Sequence, residues 1–457
     1  MNTKKKKEIG DAGQASESRL NYLAEKISRP IAWKTWWFLD LILTAGISAY
    51  WWQIGLAEER LVTLCLSLLI AASPAPLYLS MAALAWRCRS LAAKEGAHFN
   101  SAEALRKFMR IDTLAVNKNG IITMGNPYIA ELVPEGISKN ALLSLAASAE
   151  QEATHPIGRA IWYEAEKRAL RLSRLAACHE IPHAGVEAIM NNTTVRVGTL
   201  AWLKKQKVSV SATLATKNDQ LATRGKIPVF VSNGKYARGI IALQDDIIPD
   251  TISAIHRLQR LGMKVIMLTN ESSRTAAAVE RVTDLDGAVG GLDSLGKVRE
   301  LQLLRAKNAG VAMLGDTNKE PEIFLAADMS IHLLPVQLQA NRRISKRRIE
   351  TAEMEEAAEK ALAEAPPPVD PKTVKADLVI SEGMLSLFPA LKLVQKLKRI
   401  ERQNLALAYG AAAVMTLLAA GVLVNINGFW LSPWQAFGGL CGTALVLLCV
   451  AIMRISS

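Results

Sequence analysis

The sequence predicts a polytopic α-helical membrane protein with four transmembrane helices and a large cytoplasmic α/β domain. Four apolar runs are long enough to cross a bilayer, which needs ~20 apolar residues. They are Trp36–Trp52, Leu61–Leu84, Asn404–Val424 and Pro433–Met453. The composition, 50% hydrophobic but only 21% charged, agrees because the apolar residues are concentrated in these runs. Between the second and third runs, short apolar strands alternate with helices, as in a parallel sheet covered on both faces.

Basic residues set the predicted orientation. If the four runs form two hairpins, these basic flanks all lie on one side of the membrane. The positive-inside rule assigns that side to the cytoplasm. These residues are Lys4 to Lys7, Arg87, Arg89, Lys396, Lys398, Arg399, Arg402 and Arg454. We therefore expect the large domain and both termini to be cytoplasmic. The net charge of +13 indicates topology and contact with anionic lipid. Nucleic acid is not an expected partner, because no recognisable reader motif accompanies the charge.

The five cysteines show no spacing typical of a disulfide framework or a zinc site. Cys65, Cys441 and Cys449 fall within apolar runs, and Cys88 and Cys178 fall on the cytoplasmic side. We interpret all of them as apolar thiols that fill space in the core.

The cytoplasmic segment divides into two predicted domains. Residues 87–131 and 245–400 form the first, and its predicted elements are the strand Asp112–Ala115, the helix Thr251–Leu261, the strand Lys264–Leu268, the helices Arg274–Val282 and Lys297–Ala306, and the strand Gly310–Leu314. Residues 132–244 form an inserted domain, predicted as helices at Ala141–Ala149 and Ile157–Leu172 and strands at Thr194–Val197 and Ile227–Val231. The remaining segments are a basic tail (1–33) and two membrane hairpins (34–86 and 401–457).

A charged segment, residues 341–373, interrupts the first cytoplasmic domain. It opens with basic residues, continues as an acidic and alanine-rich stretch, and breaks at Pro366-Pro367-Pro368. We predict a solvated helix followed by a stiff linker. A binding arm is the alternative interpretation.

Several short motifs occur in an informative order. Ser73-Pro74-Ala75-Pro76-Leu77 interrupts the second apolar run, and a strand leads into Asn117-Lys118-Asn119-Gly120. His155-Pro156, Thr269-Asn270-Glu271, Lys297 and Leu314-Gly315-Asp316 follow before the closing hairpin. In this order the chain resembles the heavy-metal-transporting branch of the P-type ATPases, from the third of their six core helices to the C terminus. The resemblance implies a haloacid-dehalogenase-like domain that carries an α+β nucleotide-binding insert.

The resemblance implies that the phosphorylation motif is altered. The family's Asp-Lys-Thr-Gly-Thr-Leu-Thr supplies an aspartate that attacks the γ-phosphate of ATP, which requires an anionic oxygen nucleophile. This chain has Asn117 at that position, and a neutral amide cannot yield the acyl phosphate. Lys118 and Gly120 remain, whereas Ile121 replaces a threonine hydroxyl.

The surrounding phosphate and magnesium positions are retained only in part. Thr269 matches the threonine of the family's Thr-Gly-Asp, and Lys297 stands where a phosphate-neutralising lysine is expected. In the magnesium loop, Asp316 keeps an oxygen ligand suited to magnesium. Lys319 places a cation where the family has asparagine, which opposes a second cation nearby. ATP and magnesium are thus candidate cofactors.

The inserted domain retains part of a nucleotide site. His155-Pro156 matches the family's adenine-contacting dipeptide, and Gly185 matches one of two glycines that pass near the nucleotide. Residual nucleotide binding is therefore expected. The alternative is structural: Pro156 would start a helix, Gly185 would allow a turn, and Asp316 would cap a loop.

The resemblance also implies a transport path that has lost ligands. The family's Cys-Pro-Cys or Ser-Pro-Cys motif binds soft metal ions through thiolate, and here Ser73, Pro74 and Ala75 replace it. Pro74 and Pro76 still predict a helix break that frees backbone carbonyls. Family ligand positions in the last two runs hold Gly410, Leu440, Thr443 and Ala444. Asp40 in the first run is a candidate functional acid, with solvation near the cytoplasmic end as the alternative.

Together these changes favour a pseudo-pump that acts as a regulator, scaffold or subunit. The family's first two core helices and its actuator domain are not matched, so we expect that a separate chain supplies them or that the catalytic cycle does not run. The alternative is a divergent ATP-driven heavy-metal transporter completed by such a chain. The expected partners are therefore the lipid bilayer and that chain.

Overall fold

The computed structural model describes residues 33–153, 155–181, 184–308, 310–334, 374–381, 383–422, 424 and 429–456. The predicted charged segment 341–373 and nearly all of the tail lie outside the described residues. The chain divides into two compact units. We call Met1–Glu95 with Ala390–Ser457 the helical unit, and Gly96–Pro389 the two-sheet unit.

The elements in chain order are α1 (Trp33–Gln53), α2 (Glu58–Ala71), α3 (Ala75–Lys94), β1 (Ala97–Phe99), α4 (Ala102–Phe108), β2 (Thr113–Asn117), β3 (Tyr128–Pro134), α5 (Lys139–Ala149), α6 (Pro156–Lys167), β4 (Ala177–Ile181), β5 (Gly185–Met190), β6 (Thr193–Gly198), α7 (Leu200–Lys205), α8 (Ala212–Thr223), β7 (Ile227–Asn233), β8 (Tyr236–Gln244), α9 (Thr251–Arg260), β9 (Lys264–Leu268), α10 (Ser273–Thr283), β10 (Gly287–Val289), α11 (Ser294–Lys307), β11 (Val311–Gly315), α12 (Pro321–Ala326), β12 (Met329–Leu333), β13 (Leu378–Ile380), α13 (Leu387–Ala419) and α14 (Pro433–Ser456).

The helical unit contains two stretches that are long and apolar enough to cross a membrane, Glu58–Lys94 and Pro433–Ile455. Among the described residues, length and composition identify these two stretches, so the presence of four membrane crossings remains a prediction. The first stretch is broken between α2 and α3, where Ser73 and Pro74 leave the helical ladder. Pro76 lies in the first turn of α3, where its missing N–H leaves no helical bond unmade.

Long aromatic side chains join the helices of this unit. Trp51 of α1 donates from Nε1 to the carbonyl oxygen of Ala420 at 2.9 Å, and its ring lies 5.1 Å from that of Trp430. Ser67 of α2 donates to the carbonyl oxygen of Leu431 at 2.8 Å. Side chains on the opposite face of α1, such as Phe38 and Ile42, are exposed, as expected for a face that contacts lipid.

In the two-sheet unit, a seven-stranded sheet has the order β1-β13-β12-β11-β2-β9-β10. All neighbouring pairs are parallel except β1 with β13. The predicted strands pair in parallel as expected, and the antiparallel edge strand β1 was not predicted because a three-residue strand carries no readable period. The carboxyl ends of β9, β2, β11 and β12 meet at one edge, which is where ligands bind in open α/β sheets.

The second sheet has six antiparallel strands in the order β3-β8-β7-β6-β5-β4. Side chains of β7 and β8 alternate between two hydrophobic cores. Val231 and Ile241 pack in a core with α5 and α6, whereas Phe230 and Ile240 pack in a core with α7 and α8.

Two helix boundaries differ from the predicted ones for identifiable reasons. The helix predicted to reach Leu172 ends at Lys167, because Ala169 adopts a left-handed conformation (φ 51°) that stops it. The helix predicted to start at Lys297 begins at Ser294, because Asp293 caps it by accepting from the Gly296 N–H at 2.7 Å.

Candidate functional site

The candidate site lies where the parallel strands of the seven-stranded sheet end. Asn117 is the last residue of β2, Thr269 follows β9, and Asp316 follows β11. Lys297 lies in the first turns of α11, and Glu320 immediately precedes α12. Residues far apart in sequence thus meet at this edge because of the strand order.

Asn117, Lys297 and Glu320 form one cluster. The Nζ of Lys297 lies 3.0 and 2.9 Å from the two carboxylate oxygens of Glu320, and 3.4 Å from the amide oxygen of Asn117. The amide nitrogen of Asn117 lies 3.5 Å from Glu320 Oε2. The carboxylate of Glu320 therefore occupies the anion-binding position beside the lysine and the asparagine.

Lys118 and Glu271 form a second ion pair. The Lys118 ammonium donates to Glu271 Oε1, and the two side chains are only 3% and 10% exposed. Burial raises the pKa of Glu271, and the charge of Asp245 acts in the same direction, while Lys118 opposes both. Glu271 Oε2 is buried and has no hydrogen-bond partner among the described residues. The charge of Lys118 is therefore already matched by a carboxylate of the chain.

These contacts determine what the strand ends can do chemically. Both lysines that could neutralise a transferred phosphoryl group are bound to carboxylates of the same chain. A carboxylate competes directly with phosphate for such donors, since both are anionic acceptors. The residue between the two pairs, Asn117, carries an amide where nucleophilic attack would need an ionised oxygen.

The loop after Asn117 is closed by the backbone. The carbonyl oxygen of Lys118 accepts from the N–H groups of Ile122 and Thr123 at 2.9 and 3.1 Å, and the Gly120 N–H donates to the Thr123 carbonyl at 2.8 Å. Gly120 has a φ of 77°, which the turn requires and which glycine adopts without strain. Ile121 is 4% exposed, so an apolar side chain packs where the resemblance places a hydroxyl.

The residues present do not fit a magnesium ion well. Asp316 Oδ1 accepts from the Asn318 N–H at 3.1 Å, and Lys319 Nζ lies 3.8 Å from Asp316 Oδ2. No group of three or more His, Cys, Asp and Glu side chains is arranged to hold a metal ion within the described residues. A magnesium ion usually keeps several water ligands and is held by one or two carboxylates together with substrate phosphates, and here Asp316 supplies one carboxylate with the Lys319 ammonium 3.8 Å away.

His332 on β12 was not identified from the sequence. Its Nδ1 accepts from the Thr317 N–H at 3.1 Å and lies 2.9 Å from the Thr317 hydroxyl. Burial lowers the pKa of His332, and the nearby Asp316 opposes this shift. The ring therefore holds the loop after β11 in place. No motif signals this role, because the contact depends on the pairing of β11 with β12.

The inserted domain contains the six-stranded sheet, and we call it the six-stranded domain. In it, His155 and Pro156 start α6. His155 Nδ1 accepts from the Gly158 N–H at 2.9 Å, and Pro156 occupies the first helical position. His155 Nε2 lies 3.2 Å from Glu150 Oε2, and Glu150 is buried. The neighbouring Glu150 carboxylate raises the pKa of His155, although burial opposes this shift. The ring thus has structural contacts on both nitrogens.

Gly185 is required by a close approach of two strands. It pairs with Gly198, has a φ of 150°, and a Cβ atom on it would lie 2.1 Å from the carbonyl oxygen of Val197. Trp202 packs against the same position at 3.0 Å. The predicted turn at Gly185 is therefore wrong: the residue begins β5, and glycine is needed because no side chain fits.

The helix break in the helical unit lines a small cavity of about 20 Å³. Its walls include Ser73, Pro74, Leu440, Thr443 and Met415. Ala75 follows directly and donates its N–H to Ser73 Oγ at 3.4 Å. The Thr443 hydroxyl donates to the Gly439 carbonyl at 2.8 Å. Met415 supplies a thioether to this lining, and the motif comparison alone did not identify it.

The structure brings some predicted site residues together and leaves others apart. Asn117 and Lys297 meet, and Lys118 lies beside them in the chain with its own partner. Thr269 Oγ1 accepts from the Glu271 N–H at 3.2 Å and so shapes the turn that holds this carboxylate. Glu320, which pairs with Lys297, is not among the residues that the motifs single out.

Comparison with known proteins agrees with this geometry. Residues 111–320 match the model of the haloacid dehalogenase-like hydrolases. A copper-transporting P-type ATPase of Rhizobium leguminosarum bv. viciae is 31% identical over 405 residues, covering 87% of this chain and 44% of the relative. Copper-transporting ATPase 1 of Rhizobium meliloti (strain 1021) is 27% identical over 444 residues, covering 96% and 49%. The chain thus spans about half the length of these curated relatives.

A solved structure shares the fold. The crystal structure of a zinc-transporting PIB-type ATPase in the E2.Pi state aligns with a TM-score of 0.59 at 23% identity, covering 96% of this chain and 67% of that one.

Proposed function

We propose that the chain is a pseudo-pump related to the heavy-metal branch of the P-type ATPases, because it is similar to copper-transporting relatives and its residues 111–320 match the haloacid dehalogenase-like hydrolases. In this proposal it is a membrane protein that acts as a regulator, scaffold or subunit without forming an aspartyl phosphate. The observation that carries the proposal is the cluster of Asn117, Lys297 and Glu320, in which an amide replaces the nucleophile and a carboxylate replaces the phosphate.

The second ion pair supports the same proposal. A phosphoryl group entering the site would have to displace Glu320 from Lys297 and would find Lys118 held by Glu271. Each displaced carboxylate would lose a charge-assisted hydrogen bond, worth about 1.5–3 kcal/mol. These ion pairs therefore favour the arrangement in which Glu320 and Glu271, and not a phosphoryl group, contact the two lysines.

We further propose four membrane helices, with the two-sheet unit and both termini in the cytoplasm. The relatives are copper-transporting ATPases by name, and the basic flanks of the helices support this orientation. α1 is 21 residues long and exposes apolar side chains along one face, which supports its assignment as a crossing.

Residual binding of an adenine nucleotide is part of the proposal. It rests on His155 and Pro156 at the N terminus of α6, where the ring is 26% exposed and its edge remains accessible. ATP would then bind chiefly through its base. Magnesium and the phosphates would contribute little, because the strand-end residues do not fit them.

A divergent heavy-metal transporter, completed by a separate chain, is the second candidate. It is favoured by Met415, whose thioether lines the cavity at the helix break and suits a soft metal ion. One thioether is a weak ligand set, so we expect weak binding of copper(I). Calorimetry that shows tight, stoichiometric binding lost in Met415→Leu would favour this second candidate instead.

The decisive experiment incubates the purified full chain with γ-labelled ATP and examines it by acid gel electrophoresis. We expect no label, because the Asn117 amide forms no acyl phosphate. Asn117→Asp alone should also not turn over, because Glu320 still occupies Lys297. Asn119→Asp, which adds a carboxylate two residues away, is the matched control.

Hydroxylamine-sensitive label on the wild-type chain would overturn the pseudo-pump proposal. Mass spectrometry of the same sample must then show that residue 117 is still asparagine, since deamidation would create the missing aspartate.

A further inference from the structure

A buried carboxylate in the helical unit lies apart from the candidate site. Asp40 on α1 is 3% exposed and Thr44, one helical turn later, is 6% exposed. Neither carboxylate oxygen of Asp40 nor the hydroxyl of Thr44 has a hydrogen-bond partner among the described residues. The adjacent side chains Leu39 and Leu41 are exposed, so Asp40 lies on the inward face of a helix whose outward face is apolar.

Contacts on either side of Asp40 define this inward face. One turn before it, Trp36 donates from Nε1 to the Ala72 carbonyl at 2.6 Å and stacks on the ring of Tyr409 at 5.1 Å. Two turns after it, Ser48 Oγ lies 3.0 Å from Cys65 Sγ on α2. Asp40 and Thr44 therefore lie between two points where α1 packs against the end and the middle of α2.

Two titratable side chains contact α1 from neighbouring helices. They are Cys65 on α2, whose Sγ lies 3.0 Å from Ser48 Oγ, and Tyr409 on α13, which stacks on Trp36. No ion pair joins Asp40 to any residue that the structure describes. An ionised carboxylate without a partner costs several kcal/mol in such surroundings, and the group becomes neutral instead.

We infer that Asp40 is a proton-binding site of the helical unit, holding its proton within the membrane-spanning region. The proton forms an O–H bond on the Asp40 carboxyl, and the Thr44 hydroxyl at i+4 is placed on the same face to accept it or donate to it.

The oxygen count favours a proton over a metal ion. Hard cations need about six oxygen ligands, and the unpartnered oxygens here belong to Asp40 and Thr44 alone among the described side chains of α1. A soft ion would need sulfur, and Cys65 contacts Ser48, which lies eight residues or about 12 Å along the helix from Asp40. A proton needs only one oxygen.

Proton exchange has a route near the helix break. Trp36 lines the cavity of about 20 Å³ at Ser73 and Pro74, and it is one turn from Asp40 on the same face of α1. A cavity of that size holds about one water molecule. Loss of the proton would leave a bare charge against α2, so deprotonation must be accompanied by repacking of α1 or entry of water.

The inference is tested on the full chain in proteoliposomes with a hydrophobic carbodiimide, which adds to protonated carboxyl groups in apolar surroundings. The tryptic peptide 35–60 carries Asp40 together with the exposed Glu58 and Glu59, which serve as internal controls. At pH 7 only about one in a thousand aspartate side chains with an ordinary pKa carries a proton. We expect the adduct on Asp40 and none on the two glutamates, with loss of the adduct as pH rises.

Infrared spectroscopy gives a second measurement that does not depend on access of the reagent. The wild-type spectrum minus that of Asp40→Asn should contain the C=O band of a protonated carboxyl group at pH 7, and Asp40→Glu should restore a shifted band. Absence of this band in the wild type overturns the inference. Its presence supports the inference even where the carbodiimide reaches no residue of the peptide.

Discussion

The two sheets of the two-sheet unit keep family residues for different reasons. At the strand ends of the seven-stranded sheet, Lys118 and Lys297 are retained but now pair with Glu271 and Glu320. In the six-stranded domain, His155 caps a helix and Gly185 allows two strands to approach closely. The first set consists of charged side chains with ion-pair partners in the same chain. The second set has contacts that the fold needs whether or not a nucleotide binds.

This difference shows that a retained residue is informative only together with its contacts. A lysine that is paired with a carboxylate of the same chain is less available to another anion. A glycine without room for a methyl group is retained by packing alone. The strand ends therefore bear on the proposed absence of phosphoryl transfer, whereas the six-stranded domain bears on the proposed nucleotide binding.

The largest effect that tests this comparison is at the buried ion pair. Lys118→Met should lower the free energy of unfolding by about 3 kcal/mol, because Glu271 is left buried without a counter-charge. Lys118→Met with Glu271→Leu should recover most of that loss. Denaturant unfolding of the detergent-solubilised chain measures both.

The matched control is the more exposed pair Lys107–Asp377, at 39% and 23% exposure. Lys107→Met should cost less than about 1 kcal/mol. Equal losses at the two lysines would mean that the charges at the strand ends are not held as the structure shows them.

Gly185→Ala tests the other side of the comparison. We expect a loss of about 3 kcal/mol, because the new Cβ would meet a backbone oxygen and the φ of 150° is strained for alanine. Gly262→Ala is the control, since its φ of 84° is also positive but nothing lies within 4 Å of the new Cβ. It should cost about 1 kcal/mol. A stable Gly185→Ala that loses only nucleotide binding would make this glycine a ligand residue after all.

The sequence predicted much of this fold because its signals are local. The predicted strand Lys264–Leu268 coincides with β9, because Lys264 is followed by four consecutive apolar residues, a short run that is typical of a buried strand. The haloacid dehalogenase-like architecture and the heavy-metal ATPase resemblance are confirmed by the comparisons.

The parts that the sequence did not predict depend on contacts between distant residues. Glu320 and Lys297 are 23 positions apart, and their pairing follows from where α11 and α12 begin relative to β11. The link between His332 and Thr317 likewise needs the register of β11 against β12. Substitution of Asp by Asn at position 117 was visible in the motif, but its new neighbours were not.

Nucleotide binding is expected to have a smaller and more discriminating effect. Millimolar ATP should stabilise the full chain by about 2.7 kcal/mol if its concentration is a hundred times the dissociation constant. His155→Asn should reduce the shift while keeping the helix cap, because asparagine is a good N-cap residue. Glu320→Gln should strengthen binding of ATP relative to AMP, because it frees Lys297 for phosphate.

Thermal unfolding with ATP, ADP and AMP, with and without magnesium, measures these effects. The magnesium-dependent part of the shift should be small, and Asp316→Asn should remove that part only. An unchanged melting curve under all conditions would leave the structural roles of His155 and Gly185 as their whole explanation.

The smallest expected effect concerns the charge on His155. The neighbouring Glu150 carboxylate raises the pKa of His155 in the folded chain above the ordinary value of about 6.5. Stabilisation by the charged ring is therefore fully present below about pH 6.5 and is lost as the pH rises through the folded-state pKa. The helix cap opposes this, because Nδ1 must be unprotonated to accept from Gly158.

We accordingly expect the wild type to lose about 0.5 kcal/mol more than His155→Asn between pH 6 and pH 8.5. The asparagine variant isolates the charge, because it keeps an acceptor for the Gly158 N–H and cannot titrate. Glu150→Gln should abolish the same difference by removing the partner that stabilises the imidazolium. Parallel stability curves for the wild type and both variants would show that His155 acts only as a neutral cap, which would move it fully to the structural side of the comparison.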